Sequence, residues 1–183
     1  MNAAMEVRSA HVEQEGIPQT LAELMALALA MEREAAQRYA EFADAMEIHN
    51  NLEVADLFRK MAAIETGHVK AILAQMEWRD PPAVASDAWL DAIEGPETPR
   101  GDEVHYLMQP WHALAIALAC EERAERFYER LARMATQASV RDAARELQRE
   151  ESEHVALVRR WMEKVEKPDE GWRVDPDPPR YTD

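Results

Sequence analysis

The stretch AMEREAAQRY, at residues 30–39, occurs again in altered form as ACEERAERFY at residues 119–128, an offset of 89. A second match follows each copy, because ETGH at residues 65–68 and ESEH at residues 151–154 are offset by 86. The small difference between the offsets falls in a connection between helices, where a change of length costs little free energy. The chain is therefore an internal duplication, in which each half carries a Glu on one helix and a Glu-x-x-His on the next.

Apolar residues at three-and-four spacing predict four long amphipathic helices. They run over about residues 21–47, 52–76, 110–135 and 139–165. The prolines lie mostly near the chain ends or between residues 81 and 110, where the helical pattern breaks. The sequence predicts an all-α four-helix bundle over residues 19–166, with a long crossover at about 77–109 between helices two and three. We expect a flexible N-terminal arm at 1–18 and a Pro-rich tail at 167–183.

The predicted helix starts carry capping signals. Thr20 and Glu23 form a T-x-x-E capping box ahead of helix one. Asn50 with Glu53 is predicted to cap helix two, and Pro110 suits the first turn of helix three.

Composition excludes several classes of protein. The net charge of −15 is unsuited to non-specific nucleic-acid binding, which needs clustered Lys and Arg. Cys120 is the single cysteine, so the chain has no intrachain disulfide and no cysteine-based cluster. The N-terminus lacks the apolar core of a signal peptide, and no apolar run is long enough to span a membrane. We therefore expect a cytoplasmic protein without a membrane partner.

The repeated acidic and histidine positions predict a metal site in the bundle core. Residues at i and i+3 share a helix face, so each Glu-x-x-His presents a carboxylate and an imidazole to one point. Buried carboxylates without a cation would repel each other and lose hydration. Carboxylate and imidazole donors without thiolate suit iron or manganese. The predicted ligands are Glu32, Glu65, His68, Glu121, Glu151 and His154.

Each part of this pattern has an ordinary structural interpretation when it stands alone. A single Glu-x-x-His is weak evidence for a ligand pair, and a Glu beside an apolar stripe is usually solvated. Two aligned sets inside a duplication favour the metal site instead. Tyr39 and Tyr128 each lie seven residues after a helix ligand, and they either hydrogen-bond ligand carboxylates or fill core space. Cys120 is interpreted as core packing.

Over about residues 20–165 these motifs resemble the rubrerythrin-type proteins of the ferritin-like superfamily. The resemblance implies a ferritin-like bundle with a non-haem di-iron centre. It further implies that Glu65 and Glu151 are bridging ligands and that Glu32 and Glu121 are terminal ligands, one per metal. Two departures are visible, because the single cysteine rules out a rubredoxin-like domain here and Ala124 occupies the place of a further family glutamate. These departures put rubrerythrin-style peroxide reduction in question.

The resemblance implies an oxidoreductase that holds two iron ions per chain, with manganese or a mixed metal pair as alternatives. We expect it to react with dioxygen or hydrogen peroxide, as a peroxidase or ferroxidase in oxidative stress or iron handling, with an external electron donor. The alternative is an oxygenase that hydroxylates a small organic substrate. Apolar side chains outside the four stripes, among them Trp89, Ile93 and Trp111, predict a homodimer.

Overall fold

A computed structural model of the chain describes residues 17–84, 99 and 104–175. These residues form four helices and no strand, which confirms the all-α, ferritin-like four-helix bundle. Every helix end lies within three residues of its predicted place. None of the described helices is long and apolar enough to cross a membrane. The helices are α1 (Leu21–Ile48), α2 (Leu52–Gln75), α3 (Pro110–Met134) and α4 (Ala138–Met162).

The helices pair as two hairpins, α1 with α2 and α3 with α4. Their apolar side chains form two core clusters. One cluster, which we call the lower core, joins the start of α1 to the end of α3, and the other, the upper core, joins the end of α1 to the start of α3. Members of the lower core include Leu24, Ile72, Leu131 and Val140, and members of the upper core include Met46, Val54, Leu114 and Val158.

This arrangement fixes the helix directions. Since α2 ends and α3 ends in the same lower core, the two helices run the same way, and the chain between them must return along the bundle. A long connection of this kind is the predicted crossover between helices two and three. Its described parts are residues 77–84, 99 and 104–109, and Trp89 and Ile93 lie outside the described residues.

The predicted capping box starts α1. The Thr20 hydroxyl accepts a hydrogen bond of 3.2 Å from the Glu23 backbone N–H. The Glu23 carboxylate accepts in return from the Gln19 N–H at 2.7 Å, one residue earlier than in the standard box. Two N–H groups at the helix start are therefore satisfied by local side chains.

The predicted cap of α2 is wrong. Asn50 takes a positive φ of 56°, in the left-handed region that Asn tolerates better than most residues. Asn51 is the N-cap instead, and no side-chain capping bond forms. Its amide donates to the carbonyls of Tyr106 and Met108, at 3.1 and 2.7 Å. Two long-range hydrogen bonds between the α1–α2 turn and the crossover therefore take the place of the local cap.

Helix α3 begins at Pro110, as predicted. His112 caps it, because its Nδ1 accepts from the Gln109 N–H at 3.0 Å. The Trp172 ring lies 3.7 Å from the His112 ring, so residues after α4 contact the start of α3. Helix α4 ends three residues before the predicted end. The division into arm, bundle and tail and the homodimer stay predictions.

Candidate metal centre

Three carboxylates are buried in the middle of the bundle, between the two core clusters. Glu32, Glu65 and Glu151 are 6%, 8% and 4% exposed, and they are the buried charged side chains of the described residues. A buried carboxylate is costly unless it is protonated, paired or bound to a cation. The three come from α1, α2 and α4, and Glu121 of α3 is only slightly more exposed. Each helix therefore brings one carboxylate to the same level.

The first half of the duplication forms one compact group of donors. The Nδ1 atom of His68 lies 3.2 Å from Glu32 Oε2 and 3.1 Å from Glu65 Oε2. The three side chains can present ligand atoms that all lie within 4.8 Å of one another. One imidazole nitrogen and two carboxylates at this separation can close on a single metal ion.

The second half repeats the arrangement. The Nδ1 atom of His154 lies 3.3 Å from Glu151 Oε2 and 3.5 Å from Glu121 Oε2. The ligand atoms of this group can also all lie within 4.8 Å of one another. All six residues named from the sequence are thus brought together in two groups of the same composition, each built by one helical hairpin.

The two groups face each other. The rings of His68 and His154 stack with centroids 4.6 Å apart and planes 7° apart. Both Nδ1 atoms contact carboxylates, so the same ring atom would serve as ligand in each half. The imidazoles are the most exposed of the six side chains, at 27% and 25%. Solvent therefore meets the site mainly at this histidine pair.

Crowding of carboxylates changes their protonation. Burial, together with the charges and hydrogen bond of neighbouring carboxylates, raises the pKa of Glu32 to about 11. Burial also raises the pKa of Glu121, to about 7, against a hydrogen bond from His154 that lowers it. Without a cation, the cluster must therefore hold protons at neutral pH.

The neighbouring carboxylates also raise the pKa values of the two histidines, which favours the charged form of each imidazole. Burial alone would lower the pKa of His154, but its hydrogen bonds to Glu121 and Glu151 outweigh burial and raise the pKa to about 10. Burial opposes the shift of His68 too, yet the neighbouring carboxylates, led by Glu65, raise its pKa. Protonated imidazoles thus offset part of the negative charge of the metal-free cluster.

The donor set fits a pair of divalent cations. Four carboxylates and two imidazoles contain no thiolate, which suits iron or manganese rather than a softer metal. Two cations would replace the protons that now compensate the buried carboxylates. The chemistry of the residues and their buried charge therefore agree with the two-metal interpretation.

Comparison with known proteins agrees with this geometry. A sequence model of the rubrerythrin family matches residues 23–90 and 112–182, one segment for each half of the duplication. The chain belongs to the rubrerythrin family. A search of curated proteins gave no significant match.

A solved structure has the same fold. It is the 2.00 Å crystal structure of a protein from Magnetospirillum magnetotacticum that is described as an uncharacterized conserved protein. It is 37% identical to this chain, with a TM-score of 0.60, and the match covers 82% of this chain and 98% of that one. The likeness therefore extends over nearly all of that protein.

Two small residues lie one turn after the two helix ligands, and one of them, Ala124, is the departure from the family pattern that the sequence indicates. Ala35 and Ala124 lie one turn after Glu32 and Glu121, and both are fully buried. Neither position can supply a further carboxylate, so the donor set stays at six residues and is nearly symmetric. The sequence had indicated the small residue at Ala124, and both alanines are packed into the core.

The tyrosines have partners that the sequence did not predict. The Tyr128 hydroxyl donates to Met31 Sδ at 3.9 Å, and Tyr39 is hydrogen-bonded with Cys120. Burial and the nearby Cys120, Glu65 and Glu121 raise the pKa of Tyr39 well above its usual value. Each phenol therefore reaches a sulfur atom in the other half. The offset of 89 residues, which relates Met31 to Cys120, was the one available signal.

Proposed function

We propose that the chain is a cytoplasmic non-haem di-iron oxidoreductase that reacts with dioxygen or hydrogen peroxide, as a peroxidase or a ferroxidase, and takes electrons from an external donor. The observation that supports the proposal is the pair of facing Glu–Glu–His groups in a buried layer of the bundle. Membership of the rubrerythrin family favours iron over other metals for this donor set.

In this proposal each hairpin holds one metal. Glu32 and His68 would hold the first ion, Glu121 and His154 would hold the second, and the carboxylates of Glu65 and Glu151 would serve both. When bound, a pair of ferrous ions supplies two electrons at one place, which is the number that reduces peroxide to water. The protein supplies a buried layer in which these charges are compensated without competing water.

The residues around the carboxylates favour a small oxidant. Tyr39 and Tyr128, two turns after the helix ligands, are each 1% exposed, and the more exposed histidine rings stack with their centroids 4.6 Å apart. One described cavity, of about 430 Å³, is lined by Phe42, His49 and Tyr106 among others, at the upper core and away from the carboxylates. No described feature favours the oxygenase alternative.

The proposal is tested by loading the protein with ferrous iron anaerobically and mixing it with dioxygen or with peroxide in a stopped-flow instrument. We expect iron to be oxidised faster in the wild-type protein than in a Glu151→Ala variant to which the same amount of iron is added. The exposed neighbour Glu153 provides the matched control, because Glu153→Ala should react like the wild type. If bound iron reacts no faster than free iron with either oxidant, the proposed activity is wrong.

The same experiment separates the two activities. A peroxidase should react faster with peroxide and regain its ferrous state when a donor is added. A ferroxidase should react faster with dioxygen and accumulate ferric product. Conversion of an added organic substrate to a hydroxylated product would support the oxygenase instead.

A further inference from the structure

A cavity of about 430 Å³ opens to solvent at the end of the bundle that holds the α1–α2 turn. Its volume lies in the range of cavities that bind small organic molecules. One side of the lining comes from α1 and the residue after it, and the other side comes from the crossover. The lining includes Phe42, Ala45, Met46 and His49 on the first side, and His105 and Tyr106 on the second.

Aromatic rings form much of the cavity wall. The centroid of the Tyr106 ring lies 4.6 Å from that of His105 and 5.5 Å from that of His49. The Trp172 ring packs edge-on against His105, with centroids 5.5 Å apart and planes 89° apart. Flat rings stack on flat rings, so this wall favours a planar, unsaturated ligand.

The polar groups of the cavity suit a neutral ligand with oxygen acceptors. His105 Nδ1 accepts a hydrogen bond from the Leu107 N–H at 3.2 Å, so the neutral imidazole carries its proton on Nε2 and can donate it to a ligand oxygen. The described lining contains no Lys or Arg, and the Tyr106 hydroxyl donates to the Asp175 carboxylate at 2.5 Å. Together with the chain charge of −15, this disfavours cofactors that carry phosphate groups.

A run of packed aromatic rings leads from the cavity toward the carboxylate layer. The Phe42 centroid lies 5.4 Å from that of Phe58, and Phe58 lies 6.1 Å from Tyr39. Tyr39 follows Glu32 by seven residues. Phe58 precedes Glu65 by seven residues, so each of these two rings is two turns, about 10 Å along its helix, from a candidate ligand on the same face. The three rings are no more than 6% exposed, and packed core therefore joins the cavity to the carboxylates.

The duplication does not repeat this run of rings. The offsets of 89 and 86 place Leu131 at the position of Phe42 and Ala144 at the position of Phe58. Both of these residues belong to the lower core. The two halves thus share the candidate ligands but not the aromatic run, which occurs at the end of the bundle that has the cavity. The ligands alone do not require these rings.

We propose that the cavity binds a small neutral quinol, and that this quinol is the external electron donor of the protein. The inference rests on the proposed reaction with peroxide and names its donor. A quinol has a planar ring that can stack on the aromatic wall and oxygen atoms that can accept from His105.

The reaction balances. The quinol loses two electrons and two protons and becomes a quinone. Hydrogen peroxide gains two electrons and two protons, its O–O bond breaks, and two water molecules form. The electrons cross the packed rings to the carboxylate layer, and the protons are released to solvent and taken up from it.

Binding is tested first, on the metal-free full chain, by calorimetric titration with duroquinone, whose four methyl groups prevent addition of a thiol to its ring. We expect saturable binding of about one molecule per chain. Ala45→Trp should weaken binding about tenfold or more, because Ala45 is a small, partly exposed lining residue and the indole would fill the cavity. Ala40→Trp, at a partly exposed position of the same helix outside the described lining, is the matched control and should bind like the wild type.

A second variant tests the polar contact. His105→Phe keeps a ring but removes the N–H donor, so it should weaken binding several-fold, and thermal melts check that each variant is folded. If the wild type does not bind duroquinone, or if folded Ala45→Trp binds it equally well, the inference is overturned. Tighter binding of flavin mononucleotide, which carries a phosphate, would also overturn it.

Electron delivery is then measured anaerobically with iron-loaded protein, hydrogen peroxide and duroquinol, by the absorbance of the quinone formed. Ascorbate serves as a donor that needs no cavity. We expect Ala45→Trp to lose peroxide reduction with duroquinol and to keep it with ascorbate. If the wild type reduces peroxide with ascorbate but not with duroquinol, the inference is overturned and the proposed function stands. If neither donor supports peroxide reduction, the proposed function fails and the donor role fails with it.

Discussion

Glu32 and Glu121 hold equivalent places in the two halves, yet their surroundings give their carboxyls different pKa values, about 11 and about 7. The difference has a local cause. Burial is the largest cause of both shifts, and each carboxyl also hydrogen-bonds a neighbouring glutamate, but a hydrogen bond from His154 lowers the pKa of Glu121 and offsets part of its rise. A duplicated sequence has therefore produced two groups of equal composition and unequal protonation.

Metal loading should release protons. Near pH 7 the metal-free protein holds a proton on Glu32, with a pKa of about 11, and on His154, with a pKa of about 10. Both groups must lose that proton to bind a cation, so the affinity for ferrous or manganous ion should rise as the pH rises from about 6 to about 8. Titration of metal into weakly buffered protein with an indicator dye measures the release. Affinity that is constant or falls over this range would contradict the assignment.

Substitution of single carboxylates should separate bridging from terminal ligands. Glu151→Ala or Glu65→Ala should abolish binding of both metals, because a bridging carboxylate serves both. Glu32→Ala or Glu121→Ala should weaken mainly one. Metal analysis after equilibrium dialysis counts the ions, with the exposed Glu153→Ala as control. Loss of one metal only in Glu151→Ala would show that Glu151 is not a bridge.

Among the helices, local sequence signals gave the boundaries and long-range contacts gave the exceptions. The box at Thr20 and Glu23 and the first-turn Pro110 lie where the sequence predicted. The cap at Asn50 failed because Asn51 binds the crossover carbonyls, a contact 55 residues away or more that no local motif encodes. Helix α4 ends early, and the chain beyond it brings Trp172 onto His112.

The hydrogen bonds from the Asn51 amide to the crossover should make a measurable contribution to the free energy of unfolding. Asn51→Asp keeps the size of the side chain but removes the two N–H donors. It should lower the free energy of unfolding by about 1 to 3 kcal/mol, because two carbonyls lose their partners. Urea denaturation of the metal-free protein measures this. Lys60→Ala, on an exposed α2 position, is the control and should change little. An unchanged midpoint for Asn51→Asp would mean that solvent satisfies both carbonyls.

The positions of the six candidate ligands were predictable because spacing on a helix decides which side chains share a face. The contacts of Tyr128 with Met31 and of Tyr39 with Cys120 were not predictable in the same way. The duplication relates Met31 to Cys120 and Tyr39 to Tyr128, but which phenol meets which sulfur depends on how the two hairpins pack. The stacking of His68 on His154 depends on the same packing. The sequence of one helix does not determine how far that helix lies from the other hairpin.

The whole bundle consists of two apolar cores with a charged layer between them. The carboxylates of that layer repel one another in the metal-free protein. Cations that bind only the folded state should therefore stabilise the folded protein by mass action. We expect metal at about 100 times its dissociation constant to add about 2.7 kcal/mol to the free energy of unfolding. Metal-free Glu151→Ala should be at least as stable as metal-free wild type, because one repelling carboxylate is gone. Thermal melts of both proteins, with and without metal, measure the two effects, and equal stabilisation by metal would contradict the site.

The number of metal ions per chain tests the two-metal centre most directly. The protein is loaded anaerobically with ferrous iron, desalted, and analysed for iron and for protein in the same sample. The two Glu–Glu–His groups predict two ions per chain for the wild type and close to none for Glu151→Ala. A wild-type value near zero, repeated with manganese, would contradict the account.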